Sequence, residues 1–135
     1  MAPTLLVYAP SVRGDATLRA ALRVGGPLAV VALAPQERHR RSCCGIQSAY
    51  WNDVQREMAQ SRLARARLVV EDAEDVTLTV LDFDVVHPER AIAGHATELG
   101  AERVVLADPR ASGLRRRAVR RLRDRCPAPV VEGAV

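Results

Sequence analysis

Lysine is missing altogether: all 20 residues in the Lys+Arg count are arginine. The absence excludes a P-loop, which reaches a nucleotide's phosphates with its lysine, and a pyridoxal phosphate Schiff base. Aromatic residues are nearly as scarce, at 3%. A surface for single-stranded nucleic acid needs exposed rings on which bases stack, so nucleic acid is a disfavoured partner. There are only three cysteines, two of them adjacent at positions 43 and 44. An odd number so arranged is no disulfide framework, and a reducing, cytoplasmic location is expected. The longest apolar run, Pro27 to Pro35, falls well short of the roughly 20 residues that span a bilayer. The start of the chain lacks the basic residues and apolar stretch of a secretory leader. No membrane partner is expected.

What remains is a chain of 135 residues, 48% hydrophobic, a length that suits one domain (1–135) with one core built from Val, Leu, Ile and Ala. Short apolar runs alternate with helical patterns. Thr4 to Ala9 reads as a buried strand closed by Pro10. Asp15 reads as the cap of a helix to about Val24, with Leu18, Ala21 and Leu22 on its inner face and Gly25-Gly26 as the stop. Leu28 to Leu33 is a second strand, closed by Pro35. A polar loop leads to a long helix from Gln47 to about Arg67, with Tyr50, Val54, Met58 and Leu63 as its stripe. Val76 to Leu81 is a third strand, extending toward Val86. Pro88 opens a third helix, which places Ile92, Ala96 and Leu99 inward and ends at Gly100. Arg103 to Ala107 is strand four. A helix from about Leu114 to Arg125 and a strand from Pro129 complete the order β-α-β-α-β-α-β-α-β. Near-continuous apolar strands alternating with helices predict a parallel sheet covered on both faces, an α/β fold with right-handed crossovers.

Residues 85 to 107, VVHPERAIAGHATELGAERVVLA, resemble a central part of universal stress proteins. A strand end is followed there by a Pro-initiated helix, Leu-Gly-Ala, an acidic residue and a strand. The closing Cys126-Pro127-Ala128-Pro129-Val130-Val131 and the opening Leu5-Leu6-Val7-Tyr8-Ala9-Pro10-Ser11 also resemble that family. The resemblance implies a five-stranded sheet of order 3-2-1-4-5 and a homodimer formed through the C-terminal strand. It also implies where ATP would sit. ATP-binding members carry an Asp at the end of strand one, which is Ala9 here. Their phosphate loop has the form G-x-x-G, nine residues, then G-[ST]. Bare glycines in such a loop let backbone N–H groups approach phosphates. The matching positions are Ala107, Arg110 and Arg116-Arg117, with the loop shortened by four residues. The resemblance supports the fold and argues against tight ATP binding.

The loudest remaining signal is basic. Residues 109 to 126 hold eight arginines and one aspartate, a net charge of +7, whereas the rest of the chain carries −3. Leu114, Ala118, Val119 and Leu122 form the apolar stripe of this helix, and the arginines cover what is left. On a parallel sheet the βα loops lie at the carboxyl edge, where ligands bind. Those loops carry Arg13, then Arg38, His39, Arg40 and Arg41, then Arg110 and Arg115 to Arg117. The opposite edge carries Glu71, Asp72, Glu74, Asp75 and Glu102. Asp82, Asp84 and Asp108 are exceptions that would neutralise part of the basic rim.

Catalytic signals are absent. Ser11 and Ser112 have no evident base, and no Gly-x-Ser-x-Gly elbow occurs. Cys43 and Cys44 with His39 do not form a metal site, because adjacent cysteines seldom share one ion and no second pair exists. His87 and His95 read as helix-start and helix-face residues. The expectation is a non-catalytic stress-response or regulatory module that binds an acidic partner or a small anion, with no cofactor beyond weakly held nucleotide or phosphate. The candidate anion contacts are Ser11, Arg110, Ser112, Arg116 and Arg117. An ATP- or other nucleotide-binding protein with a remodelled loop is the alternative. A nucleotide hydrolase and an arginine-mediated nucleic-acid binder are weaker readings.

Overall fold

A computed structural model describes residues 1–37 and 45–133. The elements run β1 (Thr4–Val7), α1 (Val12–Val24), β2 (Leu28–Gln36), α2 (Gly45–Val70), β3 (Val76–Asp84), α3 (Pro88–Leu99), β4 (Arg103–Leu106), α4 (Arg116–Arg125) and β5 (Val130–Glu132). All strand pairs are parallel, in the order β3-β2-β1-β4-β5.

Successive side chains on a strand point to opposite faces. Leu5, Val7, Val31, Val104 and Leu106 therefore meet Ile92, Ala96 and Leu122 of α3 and α4. Leu6, Tyr8, Val30 and Val105 meet Leu18 of α1 and Ala59, Leu63 and Ala66 of α2. The central strands are thus buried on both faces, which is why they read as continuous apolar runs, whereas the edge strand β3 leaves Thr77 and Thr79 exposed. Burying one such aliphatic side chain stabilises by about 1.5–3 kcal/mol.

Four expectations need correction. Ser11, not Asp15, caps α1: its Oγ accepts from the Gly14 backbone N–H at 2.8 Å. Asp15 is buried inside the first turn. The stripe of α2 is displaced by about one residue, since Asn52, Ala59, Leu63, Ala66 and Val70 are buried whereas Tyr50 is 72% exposed and Met58 45%. Alanine gave no hydrophobic contrast there, yet its small side chain is what lets α2 approach the sheet closely. β2 runs through Pro35 to Gln36. β1 stops at Val7, level with Val31, so the far end of β2 pairs on one side only and tolerates a residue without an N–H. The last helix starts at Arg116 rather than Leu114, because Gly113 takes a left-handed φ of 76° and Arg115 is extended.

Two glycines are held by geometry. Gly100 ends α3 in the left-handed conformation that glycine adopts without penalty. A Cβ on Gly14 would collide with the Ala9 carbonyl oxygen, so α1 can start this close to the end of β1 only with glycine there.

Candidate functional site

In the order β3-β2-β1-β4-β5 the chain reverses direction across the sheet between β1 and β4. Ligands of open parallel sheets settle outside the strand ends at such a switch point. Here that point is bridged. Ser11 Oγ, after β1, donates to Asp108 Oδ2, after β4, at 2.8 Å. Asp108 Oδ1 also accepts from the Ala111 backbone N–H at 3.2 Å. Asp108 therefore orders both loops. Ala9, where the resemblance places a carboxylate anchor, is buried at 1% exposure.

Beside the bridge, a cleft of about 1210 Å³ opens between the loop after β4, α4 and the start of α1. Arg13, Arg110, Arg115, Arg116, Arg120 and Arg123 line it. Leu114 and Val119, both nearly fully buried, supply its apolar floor. Asp108, Asp124 and Glu132 also contribute. Arg123 Nη2 pairs with Glu132 Oε2 at 3.5 Å, and Arg13 Nη2 donates to the Gly133 carbonyl at 3.4 Å. Arg110, Arg115, Arg116 and Arg120 are exposed and form no hydrogen bond or ion pair through their side chains among the described residues. Unpaired guanidinium groups present planar donor forks that match phosphate or carboxylate oxygens.

Of the five contacts expected from sequence, Arg110 and Arg116 line the cleft. Arg117 is exposed and stands outside the lining. Ser11 gives its proton to Asp108. The Ser112 hydroxyl is buried without a hydrogen-bond partner. Sequence reasoning missed Arg120 and Arg123 as lining residues. Their spacing from Arg116, four and seven residues, was the available signal, since it puts all three on one side of a helix. The segment 38–41 and the Cys43–Cys44 pair lie outside the described residues.

A second polar cluster lies on the α1/α2 side. Tyr8 Oη donates to Asp15 Oδ1 at 2.6 Å, and Arg65 Nη2 donates to Asp15 Oδ2 at 2.8 Å. Burial disfavours the Asp15 carboxylate, but the hydrogen bonds from Arg65 and Tyr8 outweigh it and hold the pKa below the usual value. Burial, then the bond to Asp15, raises the pKa of Tyr8 above the usual tyrosine range. This cluster is internally satisfied. Asp82, expected to temper the basic rim, pairs with Arg56 at 3.2 Å. His87 and His95 each stand by a carboxylate, Glu89 at 3.7 Å and Glu98 at 3.9 Å. Among the described residues no group of three metal-ligating side chains occurs, and no helix is long and apolar enough to cross a membrane.

No protein-family model matches the sequence, and no curated protein sequence does. Solved structures do match. The chain superposes on the universal stress protein UspA from Lactobacillus plantarum with a TM-score of 0.75 and 12% identity, over 98% of this chain and 97% of that one. It matches the universal stress protein from Archaeoglobus fulgidus in complex with dAMP at a TM-score of 0.63 and 20% identity, over 99% and 98%. A universal stress protein in complex with cAMP matches at 0.54 and 12%, over 98% and 97%. At these identities the likeness establishes the fold, which is that of universal stress proteins.

Proposed function

We propose that this chain, built on the universal stress protein fold, is a cytoplasmic, non-catalytic regulatory module that senses a phosphate-bearing anion. The observation that carries this reading is the cleft of unpaired arginines beside the bridged switch point. Arginine forks grip phosphate oxygens but impose no selectivity for a base. The positions that in ATP-binding universal stress proteins supply a carboxylate anchor and bare glycines hold Ala9, Ala107, Arg110 and Arg116 here. Phosphate, sulfate and tripolyphosphate should therefore all displace ATP, and tripolyphosphate, which offers the same number of phosphates, should compete with it on equal terms.

The protein acts as a homodimer in this proposal. β5 pairs with β4 along one side only, and Val131 on it is 43% exposed. An unpaired apolar strand edge favours pairing with a second copy. Sedimentation at tens of micromolar, roughly the range in which weak interfaces show, should give a dimer; a monomer would count against this part.

The second reading, a nucleotide-binding protein with a remodelled loop, draws on the dAMP and cAMP complexes of two structural neighbours. Calorimetry with ATP and then tripolyphosphate separates the two. ATP binding at about a micromolar or tighter (roughly −8 kcal/mol) without competition from tripolyphosphate would establish the nucleotide reading instead.

A further inference from the structure

We infer that the ligand of the arginine cleft is a linear chain of linked phosphates, an inorganic polyphosphate, lying along α4, rather than a single anion; this rests on the anion reading above and names its substrate class. The argument starts from spacing. Arg116, Arg120 and Arg123 follow one another at four and three residues, so they stand along one side of α4. At about 1.5 Å of rise per residue, the row from Arg116 to Arg123 extends roughly 10 Å along the helix axis. Arg110 and Arg115 prolong it into the loop after β4. A single tetrahedral anion can be held at only one place in such a row. A chain of phosphates meets every guanidinium in turn.

The charge balance favours the same class. Four of the lining arginines have neither a hydrogen-bond nor an ion-pair partner for their side chains among the described residues, so their charge is open to a ligand of opposite sign. The opposing charge must be dense, since these groups fall within residues 110–120 of a short loop and helix. Polyphosphate carries a charge on every repeat and no side group. Nucleic acid carries bases as well, and the lining holds no aromatic ring on which a base could stack. The apolar side chains of the lining are Pro109, Leu114 and Val119, so the cleft offers an acidic peptide little beyond charge. At the far end Glu132 already holds Arg123 at 3.5 Å, so a bound chain would have to compete for that arginine and would grip most firmly between Arg110 and Arg120.

The test uses the full chain at roughly 0.15 M salt, where the screening length is about 8 Å and loose attraction is damped. Titration calorimetry compares orthophosphate, tripolyphosphate, long-chain polyphosphate, polyglutamate and a single-stranded DNA oligonucleotide. Affinity should rise about tenfold from orthophosphate to tripolyphosphate, and again for the long chain, as successive arginines engage. Arg120→Ser should lower long-chain affinity about tenfold and orthophosphate affinity by less, because a single tetrahedral anion engages fewer of the arginines, and Arg120→Lys should restore part of the loss. Circular dichroism and the melting temperature of each variant check that folding is intact. Equal affinity for orthophosphate and the long chains would overturn the polyphosphate inference while leaving the anion reading standing. Equal binding of DNA or polyglutamate would overturn it in favour of those polymers. No binding of any phosphate species would sink both readings together.

Discussion

Two polar regions of this protein use charge in opposite ways. On the α1/α2 side, Tyr8, Asp15 and Arg65 close on one another at 2.6 and 2.8 Å. On the α4 side, Arg110, Arg115, Arg116 and Arg120 face a cleft with no partner of opposite charge among the described residues. A satisfied cluster fixes the position of helices. An unsatisfied one leaves binding capacity open, and its cost is borne by the buried side of the same helix. Val119 and Leu122 anchor α4 at 5% and 1% exposure. The two regions therefore separate stability from binding, and substitutions in each should affect one property only.

The largest effect is expected from the buried side of α4. Leu122→Ala should destabilise the protein by about 2–5 kcal/mol, the range for deleting a packed leucine. Urea denaturation would measure it. A loss below about 1 kcal/mol would mean that α4 is loosely docked and that its arginines are not held in a row.

The satisfied cluster should come next. Asp15→Ala leaves the Tyr8 hydroxyl buried without its acceptor, which costs about 1–3 kcal/mol. The pH dependence follows from the lowered pKa of Asp15. Its contribution is fully present above the unfolded carboxyl's pKa near 3.8 and is lost as pH falls through the lower folded value. Asp15→Asn should therefore flatten the acid limb of a stability–pH profile. An unchanged acid limb would show that Asp15 is no more stabilised as an anion when folded than when unfolded.

Legibility in the sequence divides along the same line. The sheet and its order followed from the apolar runs and the resemblance, because strands buried on both faces have little else to be. The inner face of α2 was misread, because Ala59 and Ala66 pack at zero exposure whereas Tyr50 and Met58 lie outward. Side-chain size and burial part company on a helix that lies close to a sheet. The role of Asp15 was misread for a related reason. A carboxylate near a helix start resembles a cap, and only the tertiary approach of Tyr8 and Arg65 reveals the inward turn. In the cleft, Arg110 and Arg116 were legible from loop position. Arg120 and Arg123 were not, because a row along a helix matters only once the neighbouring loop and β5 turn one side of it into a cleft.

The arginine face should show the converse of the core. The double substitution Arg116→Ser/Arg120→Ser should leave stability within about 0.5 kcal/mol, as exposed substitutions usually do. In phosphate the unsubstituted protein should gain melting temperature by mass action and the double variant should not. Equal gains would place the phosphate elsewhere.

The smallest effect concerns Asp108, where the two kinds of charge meet. It is a carboxylate in a cleft of arginines, yet it also accepts from Ser11 Oγ and the Ala111 N–H. Asp108→Asn removes one negative charge and keeps one acceptor oxygen for the bridge. Two unit charges at 4 Å interact by about 1 kcal/mol in a water-like medium, so the exposed side of the cleft should gain no more than about threefold to fivefold in affinity for tripolyphosphate. Asp108→Ala removes both acceptors, frees Ser11 and the Ala111 N–H, and should loosen the loop that carries Arg110. Its affinity should fall below that of the asparagine variant even though the charge is the same. That ordering, measured by calorimetry on both variants, isolates the positional role of Asp108 from its charge. Identical affinities for the two would mean that the bridge to Ser11 does nothing to hold the arginine row in place.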